Sequence, residues 1–85
     1  MFYVYCLQSV DESERFYIGC TCDLRRRLDE HNAGENRSTK NSHWHVVYYE
    51  AYVTETAARL REQRLKKHGR LKHALMKRIK ESLNM

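Results

Sequence analysis

The spacing of apolar and polar positions divides the chain into six elements. Residues 2–7 are a run of β-branched, aromatic and other apolar side chains that predicts a strand. A polar stretch with Asp11, Glu12, Ser13 and Glu14 follows, and Phe16, Tyr17 and Ile18 then begin a second strand that Gly19 is expected to stop. Two short strands with a polar connection predict an antiparallel hairpin. Leu24, Arg27, Leu28 and His31 recur at i, i+3, i+4 and i+7, the period of a helix over residues 24–32, capped by Thr21 or Asp23 and ended at Ala33-Gly34. After a polar segment, residues 45–52 read as a third strand. Thr54 can cap a helix running to about Lys67, and Gly69 is placed to break it from a last helix over residues 70–83. In that last helix Leu71, Ala74, Leu75 and Ile79 form the expected buried stripe. The order β-β-α-β-α-α predicts an α+β fold: a small three-stranded antiparallel sheet flanked by helices.

Composition narrows the class. Eighty-five residues suit a single domain over 1–85, and 41% hydrophobic content with nine aromatic residues is too apolar for a disordered tail. No apolar run approaches the roughly 20 residues of a bilayer span, and the N-terminus lacks the layout of a signal peptide, so a soluble, cytoplasmic protein is expected. Cys6, Cys20 and Cys22 are an odd count without an export signal and are read as reduced thiols. A domain this small has a thin core, which favours a shallow surface site over a deep cavity.

Charge is uneven. Residues 1–50 hold six basic and eight acidic residues, whereas residues 51–85 hold ten basic and three acidic, within a formal net charge of +5. A C-terminal third of that sign suits a polyanion, nucleic acid above all, as well as it suits a solvated basic helix face. The candidates for phosphate contact are Arg37 and Lys40 in the polar loop, and Lys66, Lys67, Arg70 and Lys72 around Gly69.

Polar residues in apolar slots mark the candidate site. Arg27 and His31 share the helical stripe of Leu24 and Leu28, while Arg25 and Arg26 turn outward. A guanidinium on an inward stripe either snorkels at the core margin or faces a cleft that an anion enters. Glu62 lies in line with Ala58 and Leu65, so it either pairs along its helix with Arg59 or Lys66 or serves as a metal ligand. Tyr3 and Tyr5 alternate onto one face of the first strand, within cross-strand reach of Tyr17. Cys20-x-Cys22 with His31 is not a usual zinc spacing. Trp44 is read as a core or edge residue.

Taken in order, Tyr3-Val4-Tyr5, Tyr17-Ile18-Gly19, the run from Gly19 to His31 and Glu62-Gln-Arg-Leu-Lys66 resemble the GIY-YIG endonuclease domain. The likeness is closest to small stand-alone bacterial members related to the N-terminal nuclease domain of the excision-repair protein UvrC, and it spans residues 2 to about 75. By position it implies Tyr5 and Tyr17 as the family's two tyrosines, Arg27 as its helix arginine, His31 as the aromatic or histidine position one turn later, and Glu62 as its metal-holding glutamate. The implied activity is hydrolysis of nucleic-acid phosphodiesters with one Mg²⁺ or Mn²⁺ ion. Tyr5 would be general base or water orienter, His31 a proton relay, Tyr17 a donor positioning water or phosphate, and Arg27 the stabiliser of charge on phosphorus. Which phenol is the base stays open at this stage.

Two departures accompany the resemblance. Tyr3 stands where the first motif has Gly, a variant common among stand-alone members, and the polar residue, often Asn, near the end of larger members has no clear counterpart, so positioning of phosphate or metal-bound water is expected to be weaker or supplied by another group such as Lys66. With no appended binding module, DNA is favoured over RNA as substrate, and specificity is expected to be low or borrowed from a protein partner or a second copy. The competing reading is a nucleic-acid-binding module on the same scaffold with little or no turnover.

Overall fold

The computed structural model describes residues 1–40 and 42–84. Its elements are β1 (Phe2–Ser9), β2 (Phe16–Thr21), α1 (Leu24–Asn32), a 3-10 turn (Arg37–Thr39), β3 (Trp44–Tyr52), α2 (Glu55–Lys67) and α3 (Gly69–Leu83). The predicted order β-β-α-β-α-α and α+β class hold. None of the described helices is long and apolar enough to cross a membrane.

All three strands are antiparallel, in the order β2-β1-β3, so β1 is central. In the register, Tyr5 lies opposite Gly19 on β2 and Tyr49 on β3, and Leu7 lies opposite Tyr17 and Val46. Strand alternation therefore assigns Tyr3, Tyr5, Leu7, Tyr17 and Tyr49 to one face and Val4, Cys6 and Ile18 to the other. The second face is covered by α2 and α3, through Ala58, Leu65, Leu75 and Ile79. The first face is covered by α1, with Leu24 and Leu28 against Tyr5, Leu7 and Trp44. A three-layer sandwich results, with one helix above the sheet and two below.

Local chemistry explains the ends of the helices. The Asp23 carboxylate accepts from the Arg26 amide at 3.1 Å and the Thr54 hydroxyl from the Ala57 amide at 3.2 Å, each satisfying an otherwise orphaned first-turn donor. Gly34, at φ +78°, closes α1: its amide donates to the His31 carbonyl and the Glu35 amide to that of Glu30, the paired bonds of a Schellman cap.

Three expectations need correction. Gly19 lies inside β2 and does not stop it. Gly69 is the first residue of α3, and the α2–α3 break falls on His68, whose extended backbone (φ −112°, ψ 103°) interrupts the helix without a left-handed glycine. In α3 only Leu75 and Ile79 of the expected stripe are buried, with Leu71 and Ala74 exposed, because the helix meets the sheet along a narrower line than its sequence pattern.

Gly19 serves side-chain clearance. A Cβ there would overlap the Cζ and hydroxyl of Tyr5, whose ring crosses β2 at this residue. Gly19→Ala is expected to cost about 1–3 kcal/mol through overpacking. That would appear as a drop of roughly 4–24 °C in the thermal midpoint, at about 4–8 °C per kcal/mol for a domain of this size. An unchanged midpoint would show that the Tyr5 ring has room elsewhere.

Candidate active site

The strand register delivers two phenols to the α1 side of the sheet, and the helical period of α1 delivers a guanidinium and an imidazole above them. Tyr5 is 2% exposed and His31 is fully buried. The Tyr5 hydroxyl and His31 Nε2 are 2.8 Å apart, and Arg27 Nε donates to the same hydroxyl at 3.3 Å. Tyr17, half-buried, sets its ring 4.9 Å from the imidazole and 6.4 Å from the Tyr5 ring.

Glu62 arrives from the opposite layer. It projects from α2, and Lys66, one turn later, donates to its Oε2 at 3.0 Å while Lys66 Nζ lies 5.7 Å from the centre of the Tyr17 ring. The Glu62 side chain is 18% exposed. Through Lys66 the carboxylate is tied to the neighbourhood of Tyr17, at the edge strand β2. Tyr5, Tyr17, Arg27, His31 and Glu62 are thus brought together, with Lys66 among them. Of the two helical pairings open to Glu62, the one with Lys66 is formed, and Arg59 pairs instead with Glu55.

Burial sets the protonation states. Loss of solvent pushes the Tyr5 phenol up to about 12, only partly offset by the hydrogen bond and charge of Arg27. The same loss, with the Arg27 charge nearby, pulls His31 down to about 4. Arg27 is held firmly protonated by its hydrogen bonds to Glu30 and then Tyr5. At neutral pH the resting site therefore contains a neutral phenol, a neutral imidazole and a guanidinium.

Three contributors escaped the sequence reading. Glu30 accepts from Arg27 Nη1 at 3.0 Å and half-neutralises it, a pairing that the i, i+3 spacing alone signals. Thr39, fully buried, places its Oγ1 2.7 Å from His31 Nδ1. Its position comes from Trp44, whose indole N–H donates to the Thr39 carbonyl at 3.0 Å, and whose amide and carbonyl are held by the Asn32 side chain. Trp44 is a core residue, as expected, and its polar atom locks the loop.

The candidate phosphate contacts divide. Lys66 stands at the site. Arg37 and Lys40 are exposed on the loop that carries Thr39, with Lys40 lining a hollow of about 410 Å³ together with Asn32, Gly34 and His43. Lys67, Arg70 and Lys72 are exposed around the α2–α3 junction, on the layer below the sheet. No group of three or more His, Cys, Asp or Glu side chains gathers among the described residues. Glu62 is a carboxylate that could hold an ion such as Mg²⁺, which binds through one or two carboxylates and keeps water and phosphate oxygens as its other ligands.

The GIY-YIG catalytic domain family matches residues 1–77. A UPF0213 protein of Haloquadratum walsbyi is 40% identical over 72 residues, covering 82% of this chain and 79% of that protein. A UPF0213 protein of Streptococcus pyogenes is 37% identical over 67 residues, 76% of this chain and 71% of its own length. One from Natronomonas pharaonis is 36% identical over 72 residues, 82% of each chain. No solved structure matches.

Proposed function

The chain belongs to the GIY-YIG catalytic domain family, a family of nucleases, and from that premise we propose that it is a divalent-metal-dependent endonuclease or nickase hydrolysing phosphodiester bonds in DNA. Its low intrinsic sequence specificity and a place in repair or recombination are part of the same reading. The observation that carries it is the meeting of Tyr5, Tyr17, Arg27 and His31, with Glu62 joined to them through Lys66 beside the Tyr17 ring.

The roles follow from the environments. Tyr17 is the half-exposed phenol and meets the phosphate or the attacking water. Tyr5 is the inner phenol, and substrate reaches its hydroxyl when Arg27, held there by a long 3.3 Å bond, turns outward to the phosphate. Direct transfer of the Tyr5 proton to His31 in the resting site is uphill, because burial raises the phenol and lowers the imidazole. The proton therefore leaves Tyr5 as another arrives from the water, and never as a prior ionisation. The anionic phosphate beside His31 favours the imidazolium and lowers that cost. Arg27 stabilises the charge gathering on the phosphoryl oxygens. A divalent ion held by Glu62, when bound, supplies Lewis-acid stabilisation of the phosphate and leaving oxygen. Lys66 and the basic residues Arg37, Lys40, Lys67, Arg70 and Lys72 contact the backbone of the nucleic acid.

The test is nicking of supercoiled plasmid, and cutting of branched DNA and RNA, with Mg²⁺, Mn²⁺ or EDTA. Wild-type protein is expected to cut with either ion and not with EDTA. Glu62→Ala and Arg27→Ala are expected to lose roughly 10²–10³-fold, the loss that follows removal of a transition-state charge stabiliser. Full activity in both variants would place the chemistry elsewhere, and salt-sensitive binding without cutting in the wild type would identify a binding module instead.

A further inference from the structure

The loop between α1 and β3 reaches beneath the site at one atom, the Thr39 hydroxyl. We propose that Thr39 is a positioning residue that fixes His31 in the tautomer carrying hydrogen on Nδ1, so that the Nε2 lone pair is kept for the Tyr5 hydroxyl. The catalytic consequence rests on the nuclease reading above; the tautomer itself is a property of the resting protein.

The argument is an accounting of donors and acceptors in a closed interior. His31 offers two ring nitrogens, of which one donates and one accepts in the neutral imidazole. Nδ1 faces Thr39 Oγ1 at 2.7 Å and Nε2 faces Tyr5 Oη at 2.8 Å. With hydrogen on Nδ1, a single directed chain runs through the site. Arg27 Nε–H donates to Tyr5 Oη, the Tyr5 O–H donates to His31 Nε2, His31 Nδ1–H donates to Thr39 Oγ1, and the Thr39 O–H donates to the Asn36 carbonyl 3.4 Å away. Every group then has one role.

With hydrogen on Nε2 the chain fails at Tyr5. Its oxygen would accept from both Arg27 and His31, and its own O–H would have no acceptor among the described residues, at a side chain that is almost wholly buried. A buried donor left unmade bears its full desolvation penalty, so the first arrangement is preferred. Thr39 can enforce it because it is held from both sides. The Trp44 indole grips its carbonyl, and its amide donates to the Asn36 carbonyl at 3.2 Å within the 3-10 turn. In the proton step, Nε2 gains the Tyr5 proton as the Tyr5 oxygen takes one from the attacking water, while Nδ1–H stays bonded to Thr39 Oγ1, which leaves a neutral phenol opposite an imidazolium with both N–H groups bonded. The wrong tautomer has no lone pair facing Tyr5 and is inert in this step.

Long-range proton–nitrogen correlation spectra of the ¹⁵N-labelled full chain near neutral pH read the tautomer directly. The wild type is expected to show Nδ1 protonated and Nε2 as the bare nitrogen. Thr39→Ser should keep that pattern, and Thr39→Val, which retains the shape and removes the acceptor, should lose it. In the nicking assay Thr39→Val is expected to lower kcat by roughly 10–100-fold with KM unchanged, as loss of a histidine-orienting partner does, and Thr39→Ser to restore it. A wild-type spectrum with hydrogen on Nε2, or one that Thr39→Val leaves unaltered, overturns the assignment. Should Thr39→Val fail to fold, the wild-type and Thr39→Ser spectra still decide. A protein that shows the Nδ1–H tautomer but cuts no substrate would refute the nuclease reading and leave the tautomer standing.

Discussion

Tyr5→Phe is expected to reduce plasmid nicking by roughly 10²–10⁴-fold, the range that a positioned proton-transfer group contributes. Phenylalanine keeps the ring over Gly19 and its packing on Leu24 and Leu28, so the loss isolates one oxygen. That oxygen is the shared partner of His31 Nε2 and Arg27 Nε, and both would be left unpaired, at a cost of about 1–3 kcal/mol. Circular dichroism should report a folded domain with a lowered midpoint. Tyr17→Phe makes the comparison: its hydroxyl has no hydrogen-bond partner among the described residues, and a smaller loss is expected. Nicking within tenfold of wild type in Tyr5→Phe would remove Tyr5 from the reaction, and a larger loss in Tyr17→Phe would transfer the proton role to the outer phenol.

The largest effect on stability is expected below the sheet, at Glu50. This carboxylate is 14% exposed and accepts two bonds from Arg61 at 2.9 Å, one from the Tyr48 hydroxyl at 2.7 Å and one from the Tyr52 hydroxyl at 2.5 Å. Glu50→Ala strands a guanidinium and two phenols under α2 and should cost about 3 kcal/mol, the lower end for breaking a buried pair because Arg61 retains some contact with water. In so small a domain that is a fall of roughly 12–24 °C in the midpoint. The double replacement of Glu50 and Arg61 by Met should recover much of it, since the loss arises from a stranded charge. A Glu50→Ala midpoint within a few degrees of wild type would contradict this account.

The same carboxylate gives the domain an acid limit. Burial alone would raise Glu50, but the hydrogen bonds of Arg61, Tyr52 and Tyr48 outweigh it and hold the group below its ordinary value. A depressed carboxyl contributes stability that is present above its unfolded value and lost as pH falls through the folded one. The midpoint of the wild type should therefore decline below about pH 4.3, the unfolded value of a glutamate, and Glu50→Gln should lack that part of the decline.

Most of the fold was legible because its signals are local. Alternation in β1, the 3.6-residue period of α1 and the Thr54 cap each act within a few residues, and the structure follows them. The two glycines were misread because a sequence shows that a side chain is missing but not why. At Gly19 the reason is the ring of Tyr5, fourteen positions earlier; Gly69 merely begins α3. The site residues of α1 stood out as polar members of an apolar stripe, whereas Thr39 lies in an aperiodic polar loop where any hydroxyl looks ordinary. Its distinction is a tertiary fact, created by the Trp44 indole and the Asn32 amide. Glu50 was hidden for a similar reason, since a charged residue in an edge strand reads as facing water until α2 closes over it.

The place of Glu62 on α2, which follows β3 in the chain, has a consequence for the chain as it is made. A nascent polypeptide that has left the ribosome only as far as β3 already holds Tyr5, Tyr17, Arg27 and His31, yet it lacks the carboxylate that the proposed chemistry requires. On that reading, competence for the proposed reaction appears only once α2 has been made and packed against the sheet.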